Sequence, residues 1–340
     1  MDKITFLFGA GASCNALPIV KKIPERLKAL IDALGSTALS LPNNRTYEDL
    51  KIDSPKSQRE YQLEMIEDLK WLLAESQRHS SVDTLAKKLT IRRQFADLER
   101  LKVALSVFFI FEQAQNKPDN RYDSFYASII NSEGAFPENL RIISWNYDYQ
   151  FELSYAEYSG QKKIYDNARQ LNVIQKMGVR MGFNQGFRIY KLNGTTELFT
   201  PQLYRQFSYV EEFSSEVDNR FVEKVVRGFA TATNSKNLSS TLSFAWESGL
   251  QFKENDDFIN SIVEDIKDSV VLVVIGYSFP FFNREIDRKI INSMALRKVY
   301  FQSPEANSLK ERFKAIRFDM VDSDLILVKD VKQFLLPNEL

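Results

Sequence analysis

A glycine turn near the N-terminus is the first place where this chain could bind a ligand. Residues 4–8 form a β-branched and aromatic run, and Gly9-Ala-Gly11-Ala-Ser13 follows at once. The run predicts a central strand buried on both faces of a parallel sheet. If Ser13 or Asn15 opens the next helix, outward-facing N–H groups and the positive helix end would form a pyrophosphate site. Because Cys14 takes the place of the third glycine of the dinucleotide fingerprint, a tight turn without a ligand is the alternative.

An amide and a carboxylate follow a second predicted strand. Residues 140–145 are strand-like and the helical pattern resumes at Asp148, so Asn146 and Asp148 lie in the strand-to-helix turn. Ligands of open parallel sheets bind at this carboxyl end of the strands. The alternative is that Asp148 only caps its helix. Two such strand ends together favour a ligand crevice.

Two further strands end in small or polar residues. Residues 187–192 lead into Asn193-Gly194-Thr195, and residues 270–275 lead into Gly276 and Ser278. Short strands at Lys298–Gln302 and Leu325–Val328 alternate with helices at about 284–296 and 305–316. This alternation predicts an α/β fold with a doubly wound, Rossmann-like parallel sheet and right-handed crossovers.

The domain organisation follows from the same elements. Residues 1–35 are interpreted as the first Rossmann unit, with a helix over 25–34, and residues 36–135 as a mostly helical insertion. Apolar residues at helical spacing around 65–73 and 98–109 predict amphipathic helices there. Residues 136–340 complete the core, with an irregular smaller module or lid at about 160–258. The whole of 1–340 is thus one domain, whose insertion covers the crevice or contacts another subunit.

Composition restricts the chemistry. Lys plus Arg and Asp plus Glu both number 45, and this zero net charge argues against direct nucleic-acid binding and favours protein partners. The single cysteine, Cys14, excludes an internal disulfide and a cysteine-built zinc site and fits a reducing cytoplasm. His79 is the only histidine, so any imidazole base is this residue, with a structural or solvated role as the alternative. Without a secretion signal or a membrane-spanning run, a cytoplasmic protein is expected.

The ordered set of motifs resembles the sirtuin-like family, in the divergent bacterial branch that hydrolyses NAD in anti-phage defence. Gly9-Ala-Gly-Ala-Ser13 follows the first strand, and Trp145-Asn146-Tyr147-Asp148 stands where the family has Thr-x-Asn-Tyr/Ile-Asp. Lys191-Leu-Asn193-Gly194-Thr195 replaces the family's Lys-Leu-His-Gly-Ser, and Ile275-Gly276-Tyr-Ser278 comes near the end. The motifs span nearly the whole chain in the family's order.

The resemblance implies roles for these residues. Asn146 and Asp148 would be catalytic and face the nicotinamide ribose, where a carboxylate and an amide oxygen stabilise an oxocarbenium-like centre or orient the attacking water. Gly276 and Ser278 would lie against the adenosine part of NAD. The remaining cofactor-binding residues would be Asn193 and Gly194, together with the cradle of the pyrophosphate, Gly9, Ala10, Gly11, Ala12 and Ser13.

One departure from the family matters for the reaction. Asn193 replaces the histidine that activates a ribose hydroxyl in deacylases, and an amide cannot act as a base near neutral pH. The zinc-binding cysteines of the deacylating sirtuins are also missing. The resemblance therefore implies an NAD hydrolase that releases nicotinamide and ADP-ribose, with NAD as its substrate and no metal. The main alternative is an inactive NAD or ADP-ribose binding subunit, ahead of a protein deacylase or a nuclease.

Such an activity requires control, because an unrestrained NAD hydrolase would kill its own cell. We expect a symmetric homo-oligomer. Because the chain ends soon after its last predicted strand, we expect no fused sensor or Argonaute-like region. The chain in this respect resembles the stand-alone members that act with a separately encoded HerA-type ATPase, more than the fused kinds such as the Thoeris effector. A short Argonaute is the less expected partner. Neither nucleic acid nor a membrane is an expected direct partner.

Overall fold

Two compact units make up the chain. The computed structural model describes residues 2–48, 50, 55–176, 186–202, 205–208, 216–234, 240–247 and 253–340. The sheet unit comprises Met1–Asn15, Pro118–Gly194 and Phe244–Leu340, and the helical unit comprises Ala16–Lys117 and Thr195–Ser243. These ranges do not coincide with the insertion predicted at 36–135 or the module predicted at about 160–258. The residues of the predicted module are divided between the two units. Those up to 194 and those from 244 onward belong to the sheet unit, whereas residues 195–243 belong to the helical unit.

The described strands are β1 Lys3–Phe8, β2 Leu140–Ser144, β3 Val173–Gln175, β4 Arg188–Lys191, β5 Phe199–Gln202, β6 Arg205–Ser208, β7 Ser269–Ile275, β8 Lys298–Gln302 and β9 Leu325–Val328. The described α-helices are α1 Ile23–Gly35, α2 Gln58–Arg78, α3 Val82–Ile91, α4 Phe95–Gln115, α5 Asn120–Ile129, α6 Gln150–Ser159, α7 Ile164–Gln170, α8 Asn219–Asn234, α9 Lys253–Ile266, α10 Arg284–Ser293 and α11 Ala306–Lys314.

The sheet unit is built on one parallel sheet. Its seven described strands lie in the order β3-β4-β2-β1-β7-β8-β9, and every neighbouring pair is parallel. β1 is the middle strand, between β2 and β7. This arrangement confirms the predicted α/β fold with a parallel, Rossmann-like sheet. The bounds of β8 and β9 are those predicted from the sequence.

Helices cover both faces of this sheet. Along β1, Leu7 points to the face that is covered by apolar residues of α9, α10 and α11. Ile4, Phe6 and Phe8 point to the opposite face, where α5 and α6 pack. Because consecutive side chains of a strand alternate between faces, a strand buried on both sides is apolar throughout. The double winding explains why β1 and β7 lack polar alternation.

The helical unit differs from the prediction in one helix. α4 is not amphipathic, since every residue from Leu101 to Ala114 is buried. A helix that is buried on all sides lies in the interior of its unit, and α4 is such a helix. Its buried Glu112 accepts hydrogen bonds from Arg26 of α1, the shortest measuring 2.8 Å. Within the described part of the chain, no helix combines the length and the apolar character that a membrane span needs.

The turn after β1 and the turn after β7 contact each other backbone to backbone. A Cβ at Gly9 would lie 2.6 Å from Cα of Tyr277, and one at Gly11 would lie 2.9 Å from Cα of Gly276. A Cβ at Gly276 would lie 2.3 Å from the Ala12 nitrogen, and Gly276 also has a φ of +63°. Glycine is therefore required at all three positions by the packing of the two turns.

Gly276→Ala tests this contact. The added methyl group would overlap the backbone of the opposite turn, and alanine is strained in the left-handed backbone conformation of this residue. We therefore expect a loss of about 3 kcal/mol or more in the free energy of unfolding. Gly35→Ala, at the end of α1, is the control because its Cβ would meet no atom within 4 Å. We expect the control to be neutral or slightly stabilising in urea denaturation. Equal stability of the two variants would contradict the packing argument.

Candidate functional site

Four parallel strands bring the sequence motifs to one edge of the sheet. β1, β2, β4 and β7 all end at this edge, and the turns that follow them contain the residues predicted to bind or react. The edge belongs entirely to the sheet unit. It is the carboxyl edge, where open parallel sheets bind their ligands.

The glycine turn does not open a helix, which corrects the sequence prediction. Residues 10–13 form a short 3-10 helix, and the first α-helix begins only at Ile23. The N–H groups of Gly9 and Gly11 donate to the carbonyl oxygens of Ile275 and Gly276 at 2.9 and 3.0 Å, and the Ala12 N–H donates to the Gly9 carbonyl at 2.8 Å. These three N–H groups are therefore not outward-facing phosphate donors. Ala10 is the exposed residue of the turn.

Ser13 lies at the centre of a buried polar cluster. Its hydroxyl donates to Oδ2 of Asp148 at 2.7 Å. The Tyr122 hydroxyl is 3.0 Å from the same Oγ, and Nδ2 of Asn146 is 3.3 Å from it. Ser13 is 2% exposed. The structure thus brings together Ser13, Asn146 and Asp148, which the sequence had placed in two separate motifs.

The amide of Asn146 is held in a defined orientation. Nδ2 donates to the Gly9 carbonyl at 3.0 Å and also to Ser13 at 3.3 Å, so both of its hydrogens point into the protein. Among the residues that the structure describes, none donates a hydrogen bond to Oδ1 of Asn146. This oxygen is consequently available to a ligand at the sheet edge.

Asp148 serves both as a helix cap and as a member of the polar cluster. Its Oδ1 accepts the Gln150 N–H at the start of α6 at 3.2 Å, while Oδ2 accepts the Ser13 hydroxyl. Burial raises the pKa of Asp148 above its ordinary value, against the opposing effects of the Lys191 charge and the Ser13 hydrogen bond. The N-cap position of α6 is Tyr149, so Asp148 supports the start of the helix from the preceding position and with one oxygen only.

A buried ion pair holds the backbone of the turn that contains Asp148. The ammonium group of Lys191, at the end of β4, lies 2.6 and 2.8 Å from the two carboxylate oxygens of Glu152. It also donates to the backbone carbonyl of Asp148 at 2.6 Å. Lys191 and Glu152 are 1% and 0% exposed. Breaking such a pair leaves a buried charge without its partner, so the pair fixes the backbone at Asp148.

Asn193 has a structural role in this arrangement. Its Nδ2 donates to the Trp145 carbonyl at 2.8 Å, and its Oδ1 accepts the Ala245 N–H at 3.0 Å. Gly194 follows with a φ of +66°, a conformation that favours glycine. The Asn193 side chain thus links the end of β2 to residue 245.

Tyr277, in the turn after β7, contacts another buried carboxyl group, that of Asp287 on α10. The Tyr277 hydroxyl lies 3.0 and 2.9 Å from the two oxygens of Asp287, and the ring of Tyr277 stacks on Trp145. Burial raises the pKa of Asp287 to about 8, which the hydrogen bond from Tyr277 only partly offsets. Ser278 is exposed, and its carbonyl accepts a hydrogen bond from Arg312 at 2.7 Å.

Sequence reasoning missed the residues that clamp the glycine turn. The guanidinium of Arg121 donates to the carbonyls of Gly11 and Ala12 at 3.2 and 2.9 Å and pairs with Asp119 at 2.7 Å. Burial alone would raise the pKa of Asp119, but the hydrogen bonds and charge of Arg121 outweigh it and hold this pKa below its usual range. The signal available in the sequence was an Asp and an Arg two residues apart where a helical pattern begins.

His79 is not part of this cluster. It ends α2 in the helical unit, with Nδ1 3.0 Å from the Glu75 carbonyl and Nε2 3.1 Å from the Lys88 ammonium. Ser81 caps α3 two residues later. Within the described residues, no group of three or more His, Cys, Asp or Glu side chains is arranged to hold a metal ion. Neither a protein-family model nor a curated protein matches this chain.

Asp287→Asn tests the buried carboxyl group. Because its pKa is raised in the folded protein, Asp287 contributes stability that is fully present below the unfolded pKa of about 4 and is lost as the pH rises through about 8. We expect the wild-type free energy of unfolding to fall with a slope of up to about 1.4 kcal/mol per pH unit in this window. Asp287→Asn should lack this component of the slope.

The control is Asp268→Asn, which removes an exposed carboxylate at the start of β7. It should keep the wild-type slope in denaturant titrations at several pH values. Parallel curves for the wild type and Asp287→Asn would show that Asp287 ionises normally in the folded protein.

Proposed function

We propose that this protein hydrolyses NAD to nicotinamide and ADP-ribose. The observation that carries the proposal is the placement of Asn146 and Asp148 beside the glycine turn, with Oδ1 of Asn146 left without a donor among the described residues. The resemblance of the motifs to NAD-hydrolysing sirtuin-like proteins supplies the substrate. The site is also on the edge of the sheet where nucleotide ligands of parallel α/β proteins bind.

The proposed reaction breaks one bond and forms one. The C1′–N bond of the nicotinamide ribose breaks, its electron pair neutralises the pyridinium nitrogen, and nicotinamide leaves. Positive charge develops on C1′ and the ring oxygen, a water oxygen bonds to C1′, and the water gives its second proton to solvent. Oδ1 of Asn146 and the charge of Asp148 stabilise the developing cation, because oriented dipoles and charges act strongly in a buried site.

This chemistry fits a site without an imidazole. Nicotinamide leaves as a neutral molecule and needs no proton from the protein. The oxocarbenium-like centre reacts with water readily, so a positioned water can replace a strong base. A fixed amide oxygen and a buried carboxylate meet the remaining requirement, which is for negative potential near C1′.

A second candidate is an NAD or ADP-ribose binding subunit without catalytic activity. The amide of Asn193, in the position of the family histidine, bonds to the Trp145 carbonyl and the Ala245 N–H, and this structural use favours a site that has lost its chemistry. Binding of NAD without turnover would distinguish this candidate from a hydrolase.

Substitutions at the two central residues test hydrolysis. Asn146→Ala removes the amide oxygen proposed to face the substrate, and Asp148→Asn removes the carboxylate charge. Each substitution should lower kcat by about a hundredfold or more, which is equivalent to roughly 3 kcal/mol of transition-state stabilisation. NAD turnover is measured by nicotinamide release, with NAD affinity measured separately by calorimetry. Because the pKa of Asp148 is raised, wild-type turnover should fall on acidification at a higher pH than an ordinary aspartate would produce.

Asn139→Ala is the matched control, since Asn139 immediately precedes β2 at the opposite end of the same strand and bonds to the Asp2 carbonyl. It should retain turnover. If Asp148→Asn is destabilised but keeps its kcat per folded molecule, Asp148 is a helix cap and the catalytic assignment fails.

We further propose that assembly controls this activity, through a homo-oligomer and a separately encoded HerA-type ATPase, in anti-phage defence. The neutral net charge and the need to restrain an NAD hydrolase support this part of the proposal. Light scattering at micromolar concentration should give the mass of a multimer, and turnover should rise when the ATPase is added. A strictly monomeric mass would contradict the oligomer.

A further inference from the structure

The hydrogen bonds around Ser13 have a fixed direction. Ser13 Oγ carries one proton, and the Asp148 carboxylate at 2.7 Å can only accept it. The Tyr122 hydroxyl at 3.0 Å must then be the donor to Ser13 Oγ. Nδ2 of Asn146 is a second donor to the same oxygen at 3.3 Å. Ser13 therefore donates once and accepts twice, which is the full capacity of a hydroxyl group.

This arrangement assigns a role to Tyr122. We infer that Tyr122 is a positioning residue, whose phenol donates to Ser13 and thereby directs the Ser13 hydroxyl onto Asp148. The inference rests on the proposed NAD hydrolysis, in which Asp148 acts as a charged group. It differs from the role that the resemblance gave to Ser13, because a hydroxyl that already donates to Asp148 has no proton left for a pyrophosphate.

The surroundings of Tyr122 suit a permanent donor. Its side chain is 0% exposed and lies among Phe8, Phe151 and Phe334, with ring centroids 6.0, 4.8 and 5.0 Å away. Burial raises the pKa of its phenol, so the group keeps its proton at physiological pH. A rigid aromatic packing also fixes the position of the hydroxyl. Without this donor, the Ser13 hydroxyl could rotate away from the carboxylate.

Other charged groups also act on Asp148. The Lys191 ammonium on β4 favours its ionised form, and Asp119, which precedes α5, opposes it. Glu152 on α6 partly neutralises Lys191 through their buried pair. None of these groups changes when the Tyr122 hydroxyl is removed. A shift in the titration of Asp148 in a Tyr122 variant would therefore come from the altered donation by Ser13.

Tyr122→Phe is the test, and Tyr126→Phe is its control. Tyr126 lies one helical turn further along α5, is equally buried, and donates its hydroxyl to the Phe151 carbonyl at 3.1 Å, away from Asp148. Both variants lose one buried phenol hydroxyl from the same helix. The pH profile of kcat and the value of KM are measured for both variants and the wild type.

In Tyr122→Phe we expect the acid limb of the kcat profile to move up by about half a pH unit, because Ser13 donates less strongly to the carboxylate. KM should change less than about twofold, since the phenol touches no substrate. Tyr126→Phe should keep the wild-type limb. Identical limbs in all three proteins, or a shift of equal size in both variants, would overturn the inference.

A second measurement does not need turnover. For each of the three proteins, the free energy of unfolding is measured over a range of pH, with and without the substitution Asp148→Asn. The pH at which the difference between the two free energies is half of its full change reports the titration of Asp148 in the folded protein. The midpoint should lie at higher pH in the Tyr122→Phe background alone. A wild type that does not hydrolyse NAD would refute the proposed function, while an unchanged midpoint would refute the role of Tyr122.

Discussion

The close contact between the turn after β1 and the turn after β7 determines the geometry of the whole sheet edge. Two backbones can approach this closely only where side chains are missing, so Gly9, Gly11 and Gly276 are all required. The contact directs the Gly9 and Gly11 N–H groups into the protein and turns the following residues toward β2. Ser13 thereby reaches Asp148, 135 positions later in the chain, at 2.7 Å.

Two buried ion pairs fix the conformation that this contact creates. Asp119 with Arg121 holds the carbonyls of the glycine turn, and Glu152 with Lys191 holds the Asp148 carbonyl. Buried pairs of this kind add little net stability, but removing one partner costs about 3–5 kcal/mol. Their effect is therefore on conformation, because any displacement of either turn leaves a desolvated charge without its partner.

Much of the fold could be predicted from the sequence, because local patterns carry it. The apolar runs of β1 and β7 predicted buried strands, and the alternation after residue 284 predicted β8, β9 and the helices between them. The helix predicted over 25–34 is present as α1, but the local pattern could not exclude a helix start at Ser13 or Asn15. Ser13 and Asn15 are good cap residues by type, but long-range partners fix both of them. The Ser13 hydroxyl bonds to Asp148, and the Asn15 backbone and side-chain N–H groups donate to Asp119.

The sequence predicted which residues follow the strand ends, but not the hydrogen bonds that connect them. Asn146 and Asp148 follow a predicted strand, and their nearness to the glycine turn follows from the parallel sheet. The direction of the glycine-turn N–H groups depends on Ile275 and Gly276, more than 260 positions later, and no local pattern reports it. Tyr122 was also missed, since a buried tyrosine on a helix looks like any other core residue until the partner of its hydroxyl is known.

The hydrogen bonds that these side chains already make limit which groups can act on a ligand. At the described edge, the Asn193 amide already serves Trp145 and Ala245, and the Ser13 hydroxyl is saturated. Oδ1 of Asn146 has no donor among the described residues, and the Asp148 carboxylate lies beside the same serine hydroxyl. Both groups offer negative potential, which is what the hydrolysis proposed above needs where positive charge develops. The Asn193 amide cannot take a proton from a hydroxyl group near neutral pH, so it offers no base to a reaction that begins with such a step.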